Sequence, residues 1–554
     1  MRRVYPCSLT LLALFALGCS RAADGPTGFH QEQRLPPAKA GAPLFSDLGN
    51  YHRPISTTSE QAQRYFDQGL TLTYAFNHPE AVRSFEEAAR LDPRCAIAWW
   101  GVALNCGPNI NKPMAKEDAP KAWDALQKAR SLAQAASEKE QAMIEALSAR
   151  YVENPPEDRA ALDRAYAAAM RRLHQKYPDD LDIATLFAES LMDLSPWDYY
   201  TKELKPKPET TEVLAALEGV LKAKPDHLGA CHYYIHAVEA SEPQKALAAA
   251  DTLLHLVPGA GHLVHMPAHI YLRMGLYREA SVSNELASGA DQGYIAQCNA
   301  QGFYPAMYYP HNVHFLWYTN SMEGRSKQAI AAAKEIARHG GCMKLMEEDR
   351  MEPLLSLVLV RFGKWDDVLA QPRPAKEKVY SSAMNHYARG LALAATGKHH
   401  EAEQEFISLR EIVDSEGSKA LEQPHLPGQT LLKIARHDLA GHIALKRGEH
   451  EKAIAELEAA VALEDSLPYM EPPFSYMPMR HGLGAAMLAT GDAAAAEKVY
   501  REDLRQHPAN GWALLGLSQS LAAQGQKERA GEVNEQLRAA WLRADVKPTS
   551  SRYQ

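Results

Sequence analysis

Residues 62–93 read AQRYFDQGLTLTYAFNHPEAVRSFEEAARLDP, and the small residues in this stretch decide the fold. Gly69 and Ala81 stand where two antiparallel helices touch, and a larger side chain at either place would force the helices apart. Phe85 and Ala88 follow at helical spacing. Pro93 stops the second helix, because it has no amide hydrogen to donate and its ring clashes with the preceding turn. The turn between the two helices recurs along the chain as a Gly followed five positions later by Ala: Gly275/Ala280, Gly324/Ala329, Gly397/Ala402, Gly448/Ala453, Gly491/Ala496 and Gly525/Ala530. Weaker units start near Ala96, Leu181, Leu228 and Asp349, the last turning at Gly363 with Val368 in the Ala place. Residues 120–177 are Ala-rich and helical in pattern but carry little of this signature.

The residues Gly69, Ala81, Phe85, Ala88 and Pro93, with the recurring turn, resemble the tetratricopeptide repeat (TPR), a helix-turn-helix unit of 34 residues. The resemblance covers roughly four-fifths of the chain. It implies an all-α, right-handed TPR-type solenoid. It also implies that each unit turns its first helix toward a concave groove, where positions 2, 5, 9 and 12 of that helix commonly meet ligand.

Composition agrees with a folded body. Of 554 residues, 46% are hydrophobic and 23% charged, with a formal net charge of -8 and no basic stripe, so nucleic acid is not an expected partner. Beyond the N-terminus no run approaches the roughly 18 apolar residues of a membrane span. At the N-terminus, Arg2 and Arg3 precede an apolar stretch from Leu9 to Leu17 that meets Gly18 and Cys19, the pattern of an export signal. It resembles the lipobox of bacterial lipoproteins, which implies lipidation at Cys19 and makes the lipid anchor the only expected contact with membrane. Ala16-Leu17-Gly18 inverts the usual order of large and small residues, so plain secretion stays open. Ser20 after the cysteine favours the outer membrane, and the chain is expected in the cell envelope, facing the periplasm. Cys95, Cys106, Cys231, Cys298 and Cys342 form no CxxC pair and imply no particular disulfide.

The expected organisation is a signal peptide over 1–18, a flexible tether over 19–58, N-terminal repeats over 59–225, His-rich repeats over 226–345, C-terminal repeats over 346–544 and a tail over 545–554.

The functional signal is histidine. Nine of the 23 histidines fall between His227 and His314, and they pair at helical spacing. His232/His236 and His265/His269 are i,i+4 pairs, while His262/His265 and His311/His314 are i,i+3 pairs, so each pair shares a helix face. Counting back from Gly275 starts a repeat at Gly261 and puts His262, His265 and His269 at positions 2, 5 and 9. Counting back from Gly324 starts the next at Pro310 and puts His311, His314 and Tyr318 at the same positions. Counting forward from Leu228 places His232, His236 and Glu239 at positions 5, 9 and 12, in a frame whose turn is one residue short; counting back from Ala246 moves both histidines by one. His227 and His255 fall outside the groove.

Neutral imidazoles on neighbouring helices suit a transition metal, each helix giving one or two ligands. The expected metal set is His232, His236, His262, His265, His269, His311, His314 and Glu239, with Zn or Cu as the ion and Tyr318 and Tyr271 as groove residues. Met266, Met307 and Met322 nearby favour Cu(I) if their thioethers face the site, although methionine at helical spacing commonly fills core. The alternatives are that these histidines cap helices, bond the tyrosines or line a groove for peptide, which makes the chain a metal-free scaffold for a protein partner. Residues 294–309, with Phe303, Tyr304, Tyr308 and Tyr309, either cover the groove or brace two units.

A metal-dependent enzyme is the third reading, with Glu239 or Glu285 as base, but HExxH, GxSxG and P-loop motifs are all missing. Two weaker patches are the turn from Gly107 to Asn111 and the proline-rich run Tyr469-Met470-Glu471-Pro472-Pro473-Phe474. Asp438 and His442, at positions 5 and 9 of their repeat, read as a structural pair.

Overall fold

The computed structural model describes residues 42–300, 302–339, 348–423 and 426–553. The expected leader, Cys19, Cys342 and the boundary at 345/346 lie outside the described residues. Within them the chain is an all-α solenoid of TPR-type helical hairpins, and its one sheet pairs the two-residue strands Glu422–Gln423 and Leu426–Pro427. No described helix is long and apolar enough to cross a membrane. Cys95, Cys106, Cys231 and Cys298 are free thiols.

The founding hairpin pairs Glu60–Tyr74 with His78–Leu91. Ser59 caps the first helix by accepting the Ala62 amide at 3.2 Å, and Pro79 occupies the first turn of the second. A Cβ added to Gly69 would lie 2.8 Å from the Phe85 ring, and one added to Gly101 in the next helix only 2.5 Å from it. The ring is therefore clamped between two helices that glycine lets approach. Tyr500 repeats this device between Gly484 and Gly516, at 2.4 and 2.1 Å.

The turn glycines do the work expected of them. Gly275, Gly324, Gly363, Gly397, Gly448, Gly491 and Gly525 all hold φ between 63° and 91°, the left-handed region where a side chain is strained. In the founding hairpin the corresponding residue, five before Ala81, is Phe76, at φ 53° without glycine's freedom.

Two segments depart from expectation. Residues 42–58 are packed rather than a tether. The guanidinium of Arg53, only 8% exposed, pairs with Asp182 at 2.7 Å and Asp180 at 2.9 Å. Tyr51 donates to Asp182 at 2.5 Å, and the Gly259 amide donates to the Asp47 carbonyl at 2.9 Å. Polar anchors without periodicity hold this stretch, which is why helical spacing did not reveal it.

The C-terminal units also return to the middle of the chain. The Trp512 indole donates to the Ser321 carbonyl at 2.9 Å, and Asp545 accepts the Ser326 and Lys327 amides at 2.7 and 3.1 Å, capping the helix Ser326–His339. Arg543 reaches Glu323 at 2.6 Å. Arg552, in the tail, forms a buried pair with Asp438, 2.7 Å from Nη2 to Oδ2.

Candidate metal centre

The helix Leu228–Val238 brings His232 and His236 to one face, and the short helices Gly261–His265 and Pro267–Arg273, broken at Met266, present His262, His265 and His269. His311 comes from the helix Phe303–Met322, which runs through Pro310 without ending. These histidines meet in the interior, where His232, His236, His262, His265 and His269 are no more than 4% exposed. Ligand nitrogens of His232, His236 and His262 all lie within 4.8 Å of one another, as do those of His265, His269 and His311. Both His232 and His236 point into this space.

Most of these rings are anchored by one nitrogen, which leaves the other facing inward. His232 Nδ1 lies 2.6 Å from the Tyr74 carbonyl. His236 Nδ1 lies 3.2 Å from Glu239 Oε1. His265 Nδ1 lies 2.7 Å from Asn284 Oδ1, and Asn284 is oriented by donating its own amide to the Ala280 carbonyl at 2.8 Å. His269 Nδ1 lies 2.7 Å from Glu239 Oε2 and 3.1 Å from Glu471 Oε2. An acceptor on Nδ1 fixes the proton there and bares the lone pair of Nε2. Nε2 of His232, Nε2 of His236 and both nitrogens of His262 are buried with no hydrogen-bond partner among the described residues, and Nδ1 of His269 meets its two carboxylates at ion-pair distance without hydrogen-bond geometry. In the second group, Nε2 of His265 and Nε2 of His269 face each other at 2.9 Å.

Burial holds His232, His262, His265 and His311 well below the ordinary imidazole range and lowers His236 too, so these rings are neutral. His269 is the exception. Burial opposes its charge, but Glu239 and Glu471 raise it to about 10. Glu239, pushed up by burial, is brought down by the charges of His269 and His236. The same burial leaves Glu471 raised in spite of His269. One proton therefore sits between the two facing Nε2 atoms, at a place a cation of higher charge suits as well.

Several walls of the site were not foreseen. Glu471 comes from the proline-rich run, where Tyr469 donates to its other oxygen. Phe76 packs on His232, with ring centroids 4.5 Å apart, and stacks on His262 at 5.6 Å. Trp197, also at positive φ, stands over His236 at 5.0 Å with its indole donating to the Ile110 carbonyl at 2.9 Å. Phe315 touches His265 and His269 at 4.8 and 4.9 Å. Of residues 294–309, Tyr308 lies 4.3 Å from His262 and Tyr304 donates to Asp291 at 3.0 Å, so the insertion both covers and braces.

Other expected members sit elsewhere. His314 stacks on Trp317 at 5.3 Å and belongs to neither group of three histidines. Tyr271 donates to Asp251 at 2.7 Å, on the opposite face from the cluster. Tyr318 is buried with an unpartnered hydroxyl, in the wall of a neighbouring cavity. Glu285 pairs with Arg325 at 3.0 Å on the surface. His227 caps its helix and meets Tyr51 at 2.9 Å, outside the site as expected. The open groove anticipated from the repeats is closed here, because the Glu471 segment and the ring of Trp197 cover it.

No protein-family profile matches the sequence, and no curated protein matches it. Among solved structures it is similar to a human IFIT1 dimer with m7Gppp-AAAA, with 12% identity over 87% of this chain and 91% of that one at a TM-score of 0.30. It is also similar to the APC/C hetero-tetramer Cut9-Hcn1, with 15% identity over 86% and 76% at 0.29, and to yeast Tom70, with 13% identity over 85% and 90% at 0.24.

Proposed function

We propose that this chain is a helical-repeat metal protein whose interior histidines hold transition-metal ions, Zn or Cu, in two adjoining cradles. His232, His236 and His262 form one; His265, His269 and His311 form the other, with Glu239 and Glu471 behind His269. The observation that carries the reading is the first cradle, where His232 and His236 are each fixed through Nδ1 and bare at Nε2, and where both nitrogens of His262 are buried with no hydrogen-bond partner among the described residues. Leaving such groups unmet costs about 1–3 kcal/mol each, and a cation supplies what they lack. Six imidazoles also exceed the four ligands that zinc takes in a structural site. The bound ion would supply Lewis acidity or redox chemistry according to its identity.

Elemental analysis of metal-reconstituted protein tests this. Two ions per chain are expected, falling to one in His232→Ala/His236→Ala and to one in His265→Ala/His269→Ala. Equal metal content in parent and variants overturns the reading. The sequence further supports an envelope lipoprotein anchored through Cys19, to be tested by fatty-acid labelling of parent and Cys19→Ala cells. A metal-free scaffold for a protein partner is the second reading, favoured by the repeat architecture itself; a pull-down from solubilised envelope that survives chelator supports it.

A further inference from the structure

We propose that a cavity beside the metal centre receives a small organic anion, a carboxylate with an apolar body. The cavity has a volume of about 510 Å³, within the range of roughly 300–1,000 Å³ usual for small-molecule pockets. It lies where the C-terminal units close on the central ones. Tyr318 and Arg273 wall it on one side, and residues 467–475 on the other.

Its lining contains polar atoms that the fold does not use. The Tyr318 hydroxyl and Nε of Arg273 are buried without a hydrogen-bond partner among the described residues, and the Ser475 hydroxyl is turned toward Glu464 without full hydrogen-bond geometry; the one unpartnered acceptor in the lining, Glu471 Oε2, stands beside His269. Tyr318 is 1% exposed and Ser475 9%. The two hydroxyls and Nε of Arg273 are donors, so an acceptor-rich group satisfies them together.

Charge points the same way. The acids in the lining are already engaged: Asp465 with Arg480 at 2.6 Å, Glu502 with Arg505 at 2.5 Å and Glu471 with His269 at 3.1 Å. Glu464 accepts the Met479 amide at 2.8 Å, and burial raises it to about 7. Arg273, by contrast, has no carboxylate within ion-pair distance among the described residues and lies over the Tyr469 ring at 5.5 Å. A planar guanidinium outside any ion pair among the described residues, lining the same cavity as two hydroxyl donors, matches a carboxylate. Leu272, Tyr277 and Phe474 supply the apolar wall. Glu471 faces both this cavity and His269, so the anion would sit next to the metal cradle. Only that adjacency to metal rests on the reading given above; the pocket itself does not.

Calorimetric titration with hydrocinnamate, its alcohol and its amine, on both metal-loaded and chelator-treated protein, tests the proposal. Hydrocinnamate is expected to bind about tenfold tighter than either analogue. Arg273→Met should abolish that preference, and Tyr318→Phe and Ser475→Ala should each weaken hydrocinnamate several-fold; these two carry the test if Arg273→Met does not fold. Equal or tighter binding of the amine, no binding of any probe, or an unchanged preference in the variants overturns it. Metal content measured on the same samples separates the two readings, since a protein that binds hydrocinnamate but no metal loses the metal centre and keeps the pocket.

Discussion

The carboxylate of Glu471 lies 3.1 Å from Nδ1 of His269, joining the last third of the chain to the repeat at its middle. With Glu239 on the same nitrogen at 2.7 Å, it stabilises positive charge on the ring and makes Nε2 more basic. Such carboxylate partners of a ligand histidine typically change metal affinity by about 10–100-fold. Glu471→Gln should therefore weaken metal binding by a factor in that range while the fold persists, as measured by competition with a chromophoric chelator. An affinity equal to the parent's would remove Glu471 from the site.

What could be read from the sequence was local. The Gly-to-Ala turn spacing located six glycines that do hold positive φ, and Gly363, with Val368 in the Ala place, is a seventh, because only glycine enters that region freely. The same spacing put His262, His265, His269 and His311 on faces that meet, and a separate count from Leu228 put His232 and His236 there. His314 shows the limit of this reasoning, since three positions after His311 a helix has turned to within about 60° of its start, and that offset carries the ring onto Trp317 instead. Glu471 and Arg53 were beyond reach for another reason. Periodicity says which face of a helix is inward but not which distant segment arrives there, and both residues act through contacts made across the superhelix.

Phe76 stands where later hairpins have glycine. Its left-handed backbone costs roughly 1–2 kcal/mol, whereas deleting a buried Phe ring costs roughly 3–5 kcal/mol. Packing should win. Phe76→Gly is expected to destabilise the protein by roughly 1–4 kcal/mol and to lower the metal content of the His232 cradle, because the ring covering it is gone. Urea unfolding and elemental analysis read the two effects, and a variant more stable than the parent would show that the ring only strains its turn.

Acid should unfold the metal-free protein. Burial holds His78 and His442 at about 3 and His481 at about 4, against roughly 6.5 in an unfolded chain. A histidine whose folded value is depressed leaves stability intact above its unfolded value. As pH falls below that value, the unfolded state takes up protons that the folded state refuses, and stability declines until the folded value is reached. The neutral histidines of the cradles add to the same trend. Thermal midpoints of chelator-treated protein should therefore fall from pH 6.5 toward 5, and should also decline above about pH 7, where His269, raised to about 10, keeps a proton that the unfolded chain has lost. A flat profile over that interval would mean that these rings are not buried as neutral groups.

Arg552 closes the superhelix from the chain's tail, and its removal should be felt across the whole fold. Asp438 is fully buried and accepts from both Arg552, 2.7 Å from Nη2, and the Tyr387 hydroxyl, at 2.6 Å. Burial pushes its carboxyl up, and Arg552 together with His442 keeps it below its usual range. Arg552→Met leaves that carboxylate without its cation, a change that in buried pairs costs about 3–5 kcal/mol. Removing the charge on the other side tests the cause. Arg552→Met/Asp438→Asn should recover part of the loss, since Asn still accepts from Tyr387 and needs no counter-ion. If the single variant loses stability and the double variant loses more, the pair's charge is not what holds the tail, and the packing of Tyr553 over Gly363, where an added Cβ would come within 2.9 Å of the ring, becomes the better account of how the chain is fastened.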